Sequence, residues 1–280
     1  MYQINPIIKE FQKINLLDKK NFVIINNKTR DKNCKVFKDT KTGVIVLEKN
    51  YHNEISYKKS RYYKINQNKK ILGFNTLTKN NEDLIRYNLF KKHINNKKVC
   101  DFGCNFGKFL KIIKPRAKEV YGVEINASAN RYLKNSFQIK KKIKDFKLKF
   151  NTITMFHTLE HLTDQVNLLK TIKSKLVDRG KIIIEVPHAN DFLINFGPKK
   201  FKDFSFWSQH LVLHTKTSLK KILKISGFKK VNVFGYQRYN YANHFYWMNY
   251  KKPGGHLVLN DKFDEELLKL YTRYKLPSSI

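Results

Sequence analysis

Two stretches of this chain carry residue types and spacings able to do chemistry. The first is Val99-Cys100-Asp101-Phe102-Gly103-Cys104-Asn105-Phe106-Gly107. It reads as a short strand, a tight glycine turn and the first turn of a helix. Gly103 and Gly107 would let backbone approach a ligand where a side chain would block it. The helix that follows would offer free N–H groups and a positive dipole end. The second stretch is His157-Thr158-Leu159-Glu160-His161, directly after an apolar run. An alcohol acceptor needs a base, and a histidine near neutral pKa suits that task. His157, His161, His188, His210 and His214 are the candidates, with Glu160 placed to orient one of them. His157 comes first because it leaves the strand directly. Against each stands the plainer role of a packed, hydrogen-bonded histidine.

Two features narrow the ligand at the glycine turn. A dinucleotide fingerprint needs G-x-G-x-x-G, and here the spacing is D-x-G-x-x-x-G. The second feature is Val120-Tyr121-Gly122-Val123-Glu124, a strand ending in an acid. An acid roughly 20 residues past a glycine turn is placed to accept hydrogen bonds from ribose hydroxyls. A nucleoside without a phosphate fits best. With these residues in view, the chain resembles the class I S-adenosylmethionine-dependent methyltransferases. The phrases VCDFGCNFGKFL, VYGVEIN and TITMFHTLEHL look like that family's first, second and fourth motifs, and the resemblance covers about residues 82–235.

The resemblance implies an α/β fold: a Rossmann-like, seven-stranded, mostly parallel sheet with helices on both faces. It implies S-adenosylmethionine as cofactor, held by Asp101, Gly103, Cys104, Gly107 and Glu124. It puts Asp145 and Phe146 where the family contacts adenine, the acid accepting from the amino group and the ring stacking. Phe156 would lie beside the cofactor, and Arg86 would face the methionine carboxylate. The loop carrying His157 and His161 would lie beside the sulfonium, and His210 and His214 complete the catalytic candidates. H-x-x-E-H is also the inverted zinc-protease signature, but that needs both histidines on a helix with a third ligand beyond. Here the motif ends a strand, so no metal is expected.

The elements that must position these residues follow in order. Residues 1–80 form a small N-terminal α+β cap, with a helix over 4–17 and two strands at 35–37 and 44–47. Tyr57, Tyr62 and Tyr63 cluster after them, as a packed linker or a lid. Residues 81–250 form the cofactor-binding domain. Its first helix, 81–94, carries an apolar stripe of Leu84, Ile85, Leu89 and Phe90. A helix from Asp164 is capped by Gly180. The aromatic insert 188–216 leaves the carboxyl end of a buried strand, where a ligand crevice is expected. Trp207, His210 and His214 within it would form an acceptor wall. Residues 228–234 and 244–250 read as the last two strands, and residues 251–280 as a tail with a helix over 264–274.

The chain has 280 residues, 41% hydrophobic and 14% aromatic, and so can bury a sizeable core. No run of 18 apolar residues exists, so no membrane span is expected. The N-terminus lacks a signal-peptide pattern. Three cysteines, Cys34, Cys100 and Cys104, form no CxxC pair, which argues against a disulfide or zinc framework. These facts favour the cytoplasm. The net charge of +35 comes from lysines spread along the whole chain, which fits compositional drift together with attraction to anionic substrates. The tail YQRYNYANHFYWMNYKKPGGH looks similar to those of bacterial methyltransferases of surface-polysaccharide biosynthesis. The leading acceptor is therefore a small sugar or anionic sugar-nucleotide. An RNA or tRNA methyltransferase is the first alternative, from charge and base-stacking aromatics. A non-catalytic cofactor-binding protein is the second.

Overall fold

The computed structural model describes residues 3–52, 82–239, 241–255 and 273. The tyrosine cluster and the tail helix expected above lie outside the described residues. In chain order the elements begin with β1 (Gln3–Ile4), α1 (Pro6–Lys13), β2 (Phe22–Asn26), β3 (Val36–Asp39), β4 (Ile45–Leu47) and β5 (Lys49–Asn50). Then come α2 (Glu82–Ile94), β6 (Lys98–Phe102), α3 (Lys108–Ile113), β7 (Glu119–Val123), α4 (Ala127–Leu133), β8 (Gln138–Lys140) and β9 (Phe150–Phe156). The last are α5 (Gln165–Ser174), β10 (Leu176–Glu185), α6 (Phe192–Phe196), α7 (Lys199–Ser205), β11 (Val212–Leu213), α8 (Lys216–Ile225) and α9 (Tyr241–Tyr250). Two compact units divide the chain. One holds residues 1–51, 159–166 and 185–280, and the other holds 52–158 and 167–184.

The second unit is built on a five-stranded sheet of order β10-β9-β6-β7-β8. β6 pairs parallel with β7 and with β9, and β7 pairs parallel with β8. The chain therefore enters in the middle, winds outward on one side, then crosses to the other. That reversal on either side of β6 is a topological switch point, where open α/β sheets bind ligands beyond their strand ends. The strands are held by apolar runs whose side chains are fully covered, with Val99, Cys100, Ile153 and Met155 at 0% exposure. Tyr87, Ile94, Phe109 and Ile113 of α2 and α3 pack on Val99. Cys104, Leu110, Leu133 and Phe137 form a second cluster. Asn151 accepts the backbone N–H of Lys98 at 3.0 Å, tying β9 to the start of β6.

The first unit has its own sheet, of order β11-β4-β3-β2, and a two-stranded pair β1-β5. β11, from the aromatic insert, pairs antiparallel with β4, Val212 opposite Val46 and Leu213 opposite Ile45. The insert is thus part of the same layer as the N-terminal hairpin. Phe201, Phe206, Leu193 and Ile194 of the insert share one core with Val36, Ile45, Leu47 and Trp247. α8 opens on a capping box between Thr215 and Ser218.

Four expectations from the sequence are corrected. Among the described residues the parallel sheet has five strands, not seven: residues 228–234 form no strand, and residues 244–250 lie inside α9. The aromatic, strand-like composition of α9 is overridden by packing, with Trp247 set edge-on to Phe201 at 5.0 Å. α5 stops at Ser174, and Gly180 lies within β10 beside Arg179, which has φ +57°. In α2 only part of the expected stripe is covered: Leu84 and Leu89 are exposed, Ile85 and Phe90 are half-buried with Phe90 against the Val99 cluster, and Arg86, Tyr87 and Ile94 are buried. α2 lies against Val99 and Ile113 by that polar-bearing face because Tyr87 and Ile94 supply the larger apolar cover.

Candidate functional site

The turn after β6 is a left-handed run. Gly103 has φ +82°, Asn105 +49° and Gly107 +70°. Such φ values cost a side-chain-bearing residue strain that glycine avoids, and asparagine tolerates them best among the others. The turn is pinned to the end of β7, with the N–H groups of Gly103 and Cys104 donating to the Val123 carbonyl at 2.8 and 3.1 Å. A Cβ on Gly103 would collide with Thr158, and one on Gly107 would stand 2.7 Å from Leu133. At both positions the missing Cβ makes room for a neighbouring protein side chain.

Glu124 follows β7 and is half-buried. Its carboxylate accepts from the backbone N–H of Asn105 at 2.8 Å and of Asn126 at 2.7 Å. Burial pushes its pKa up, and backbone hydrogen bonds from Asn126, Asn105 and Ile125 pull it down. A carboxylate can accept about four hydrogen bonds, so capacity remains for a ribose hydroxyl. The side-chain Oδ1 of Asn105 is buried and has no hydrogen-bond partner among the described residues. A buried acceptor of that kind fits a ligand that donates, as a ribose or an ammonium group does. These residues fit the nucleoside expected from the sequence. Asn105 was not singled out there. Its signal was position, as the polar residue between two glycines in D-x-G-x-x-x-G.

Asp101 stays inside the sheet. It is 5% exposed and accepts from Thr154 Oγ1 at 2.7 Å. Burial raises its carboxyl to about pKa 7, against the Thr154 hydrogen bond. It stiffens the strand that carries the turn. Cys104 is buried, and burial pushes its thiol well above the usual range, so it packs rather than reacts. Arg86 is held by Asp83 at 2.8 Å and Glu82 at 3.6 Å, with its guanidinium 5.0 Å from the Phe156 ring centre. Phe156 meets Phe109 edge-on at 5.0 Å. Asp145 is exposed after β8. Phe146 is 3% exposed and set edge-on to Tyr121 and Phe150 at 5.4 and 5.3 Å. Its ring is a core ring, which corrects its expected role of stacking on adenine.

His157 follows β9 with φ +47° and is half-buried, in the same unit as the turn. Gly103, Glu124, Asp145 and His157 thus follow the carboxyl ends of four strands of one sheet. The other histidines belong to the unit that carries the N-terminal sheet. His161 lies 4.7 Å from His210, ring centre to ring centre, and both meet Trp207 edge-on. His161, His210 and Glu160 bring one ligand atom each within 4.8 Å of one another. Arg30 lies over the Trp207 ring at 4.3 Å, a stacking no sequence signal announced.

His214 is different. It is 0% exposed, with Nε2 3.0 Å from Gln165 Oε1 and Nδ1 3.2 Å from Ser218 Oγ. Gln165 donates its own amide to the Leu159 carbonyl, so its oxygen faces the ring and Nε2 carries the proton. Burial lowers His214 to about pKa 4. It is a neutral core histidine with both nitrogens engaged, and its place among the catalytic candidates is corrected. Among the described residues, no helix is long and apolar enough to cross a membrane.

Comparison with known proteins bears on this geometry. The model of a methyltransferase-domain family matches residues 76–233, more than half of the chain. A tRNA U34 carboxymethyltransferase of Nautilia profundicola is 30% identical over 115 residues, covering 36% of this chain and 38% of that protein. One of Sulfurimonas denitrificans is 28% identical over 115 residues, covering 36% and 39%. The chain thus spans about two fifths of the length of these curated relatives. A solved S-adenosylmethionine-dependent methyltransferase of Archaeoglobus fulgidus is similar with a TM-score of 0.49 at 21% identity, over 70% of this chain and 89% of that one. When bound, the cofactor supplies an already activated methyl group on a sulfonium, and the chain's task is to hold and align it. Glu124 and Asn105 would hold the nucleoside end on the pinned turn. The chain belongs to the methyltransferase-domain family.

Proposed function

We propose that this enzyme transfers the methyl group of S-adenosylmethionine to an RNA acceptor. The observation that carries this reading is a basic, aromatic face on the unit containing the N-terminal sheet. A cleft of about 370 Å³ there is lined by Lys28, Arg30, Lys200, Lys251 and Lys252 against one acid, Asp203. Phe204 stands exposed at its wall. α9 continues the pattern, with Tyr241, Phe245 and Tyr250 exposed, Arg238 over Tyr239 and Lys252 over Tyr246. Cations neutralise phosphates and exposed rings stack on unpaired bases, and each stacked base contributes ~1–3 kcal/mol.

The relatives' printed names, tRNA U34 carboxymethyltransferase, agree with such an acceptor. The sugar reading loses support at its expected wall. His214 is buried, and Arg30 covers one face of Trp207. A cytoplasmic location goes with this reading. The three cysteines are free and buried, as suits a reducing compartment.

The test is methyl transfer from labelled S-adenosylmethionine to total tRNA and, separately, to a nucleotide-sugar pool. Label is expected in RNA. A Lys251→Glu, Lys252→Glu, Tyr250→Ala variant should bind RNA at least ~10-fold more weakly, with affinity for S-adenosylhomocysteine unchanged. Label confined to nucleotide sugars would overturn the proposal.

A further inference from the structure

We infer that Glu160, His161 and His210 form a site for one divalent cation of the zinc class. This goes beyond the proposed function, since neither methyl transfer nor an RNA acceptor calls for a metal. The three ligand atoms lie within 4.8 Å of one another. Zinc holds nitrogen and oxygen ligands at ~2.0–2.2 Å in a tetrahedron, which sets its ligands about 3.4 Å apart.

The orientation of His161 carries the argument further. Its Nδ1 lies 3.0 Å from the Gln209 carbonyl oxygen. A carbonyl only accepts, so Nδ1 carries the proton and the neutral ring has its lone pair on Nε2. That Nε2 stands 3.9 Å from Glu160 Oε1, and Glu160 is 0% exposed. At 3.9 Å the two atoms are close to the spacing of two ligands on one ion. A metal-bound histidine typically donates its other N–H to a carbonyl or carboxylate, and the Gln209 carbonyl provides this. Gln209 also precedes His210, so one backbone segment orients the first histidine and presents the second. Trp207 meets both rings edge-on and fixes their planes.

The donor set, two imidazoles and one carboxylate, is borderline in softness and favours zinc over magnesium or calcium. His161 and His210 are half-buried, so the site opens on one side. Three protein ligands leave a position for water or an acceptor oxygen. His157 is outside the trio, so this is not the inverted protease arrangement.

The test uses the full chain without a polyhistidine tag, stripped with a chelator and titrated with zinc chloride by calorimetry. One ion per chain is expected. His161→Ala and His210→Ala should each weaken binding at least ~100-fold, since even outer partners of such ligands are worth 10–100-fold. His210→Asp, which keeps a ligand, should stay within about tenfold of the parent. His93→Ala, on the other unit, should change nothing. Near-ultraviolet circular dichroism follows the fold throughout. Absence of stoichiometric zinc, equal affinity in both alanine variants, or binding lost only together with the fold would overturn the site. Because the readout is metal binding, the RNA reading stands or falls separately.

Discussion

The glycine turn and the histidine trio are built in opposite ways. The turn is local: Gly103, Asn105 and Gly107 follow one strand, and Glu124 reaches back from the next to Asn105 at 2.8 Å. Its shape is dictated by positive φ values within five residues. The trio is assembled at long range. His161 is oriented by a carbonyl 48 residues away, and Trp207 beside it is stacked by Arg30 from the N-terminal region. A motif held by its own backbone is visible as spacing. A group held by tertiary packing has no spacing to see.

The largest effect should come from breaking the local side of this contrast. Gly103→Val forces a branched side chain into φ +82° and onto Thr158. The expected outcome is loss of S-adenosylhomocysteine binding by calorimetry, with destabilisation of at least ~3 kcal/mol. Gly103→Ala in a Thr158→Gly background should recover part of that binding, because it removes the collision and leaves only the strain. Wild-type affinity in a folded Gly103→Val protein would show that the turn does not hold the cofactor.

The next effect separates two histidines that look alike in the sequence. His214→Ala removes a fully buried ring with partners on both nitrogens. It should cost about 3 kcal/mol of stability, read by denaturant titration. His210→Ala, at a half-buried position, should cost under ~1 kcal/mol. The pH dependence follows from His214, whose folded pKa is lowered to about 4. Its unfolded state binds the proton more readily, so its contribution is complete above about pH 6.5 and is lost as pH falls toward 4. That part of the acid sensitivity should vanish in His214→Ala. Equal stability of the two alanine variants would erase the distinction.

The smallest effect concerns Asp101, whose folded pKa is raised to about 7. The sign is opposite. Its stabilising contribution is complete below the unfolded value and is lost as pH rises through about 7. Asp101→Asn keeps an acceptor for Thr154 and does not titrate. Relative to wild type, the variant should gain about 2–3 kcal/mol between pH 5 and pH 8. A pH-independent difference between the two proteins would mean that Asp101 is ionised throughout.

The aromatic stretches show why some expectations failed. Residues 244–250 have strand-forming composition, yet they fold as α9 because Trp247 fills the core beside Phe201 and Leu47. Residues 228–234 alternate as a strand should, but alternation gives a strand only where a neighbouring backbone completes the ladder. Phe146 was placed correctly after its strand, while its ring turned inward to Tyr121 and Phe150. In each case the element or position is a local property and the partner is not.

By itself the sequence determined the parallel α/β core, the order of the glycine turn and its acid, and the family. These follow from apolar runs, backbone freedom at glycine and a fixed reach between consecutive strands, all short-range. Tertiary structure alone decided that the insert joins the N-terminal hairpin as β11. It alone divided the histidines, sending His214 into the core with Gln165 and setting His161 beside His210 and Glu160. The physical reason is that burial and ligand geometry depend on which distant segments meet, and no pattern of neighbours along the chain encodes that meeting.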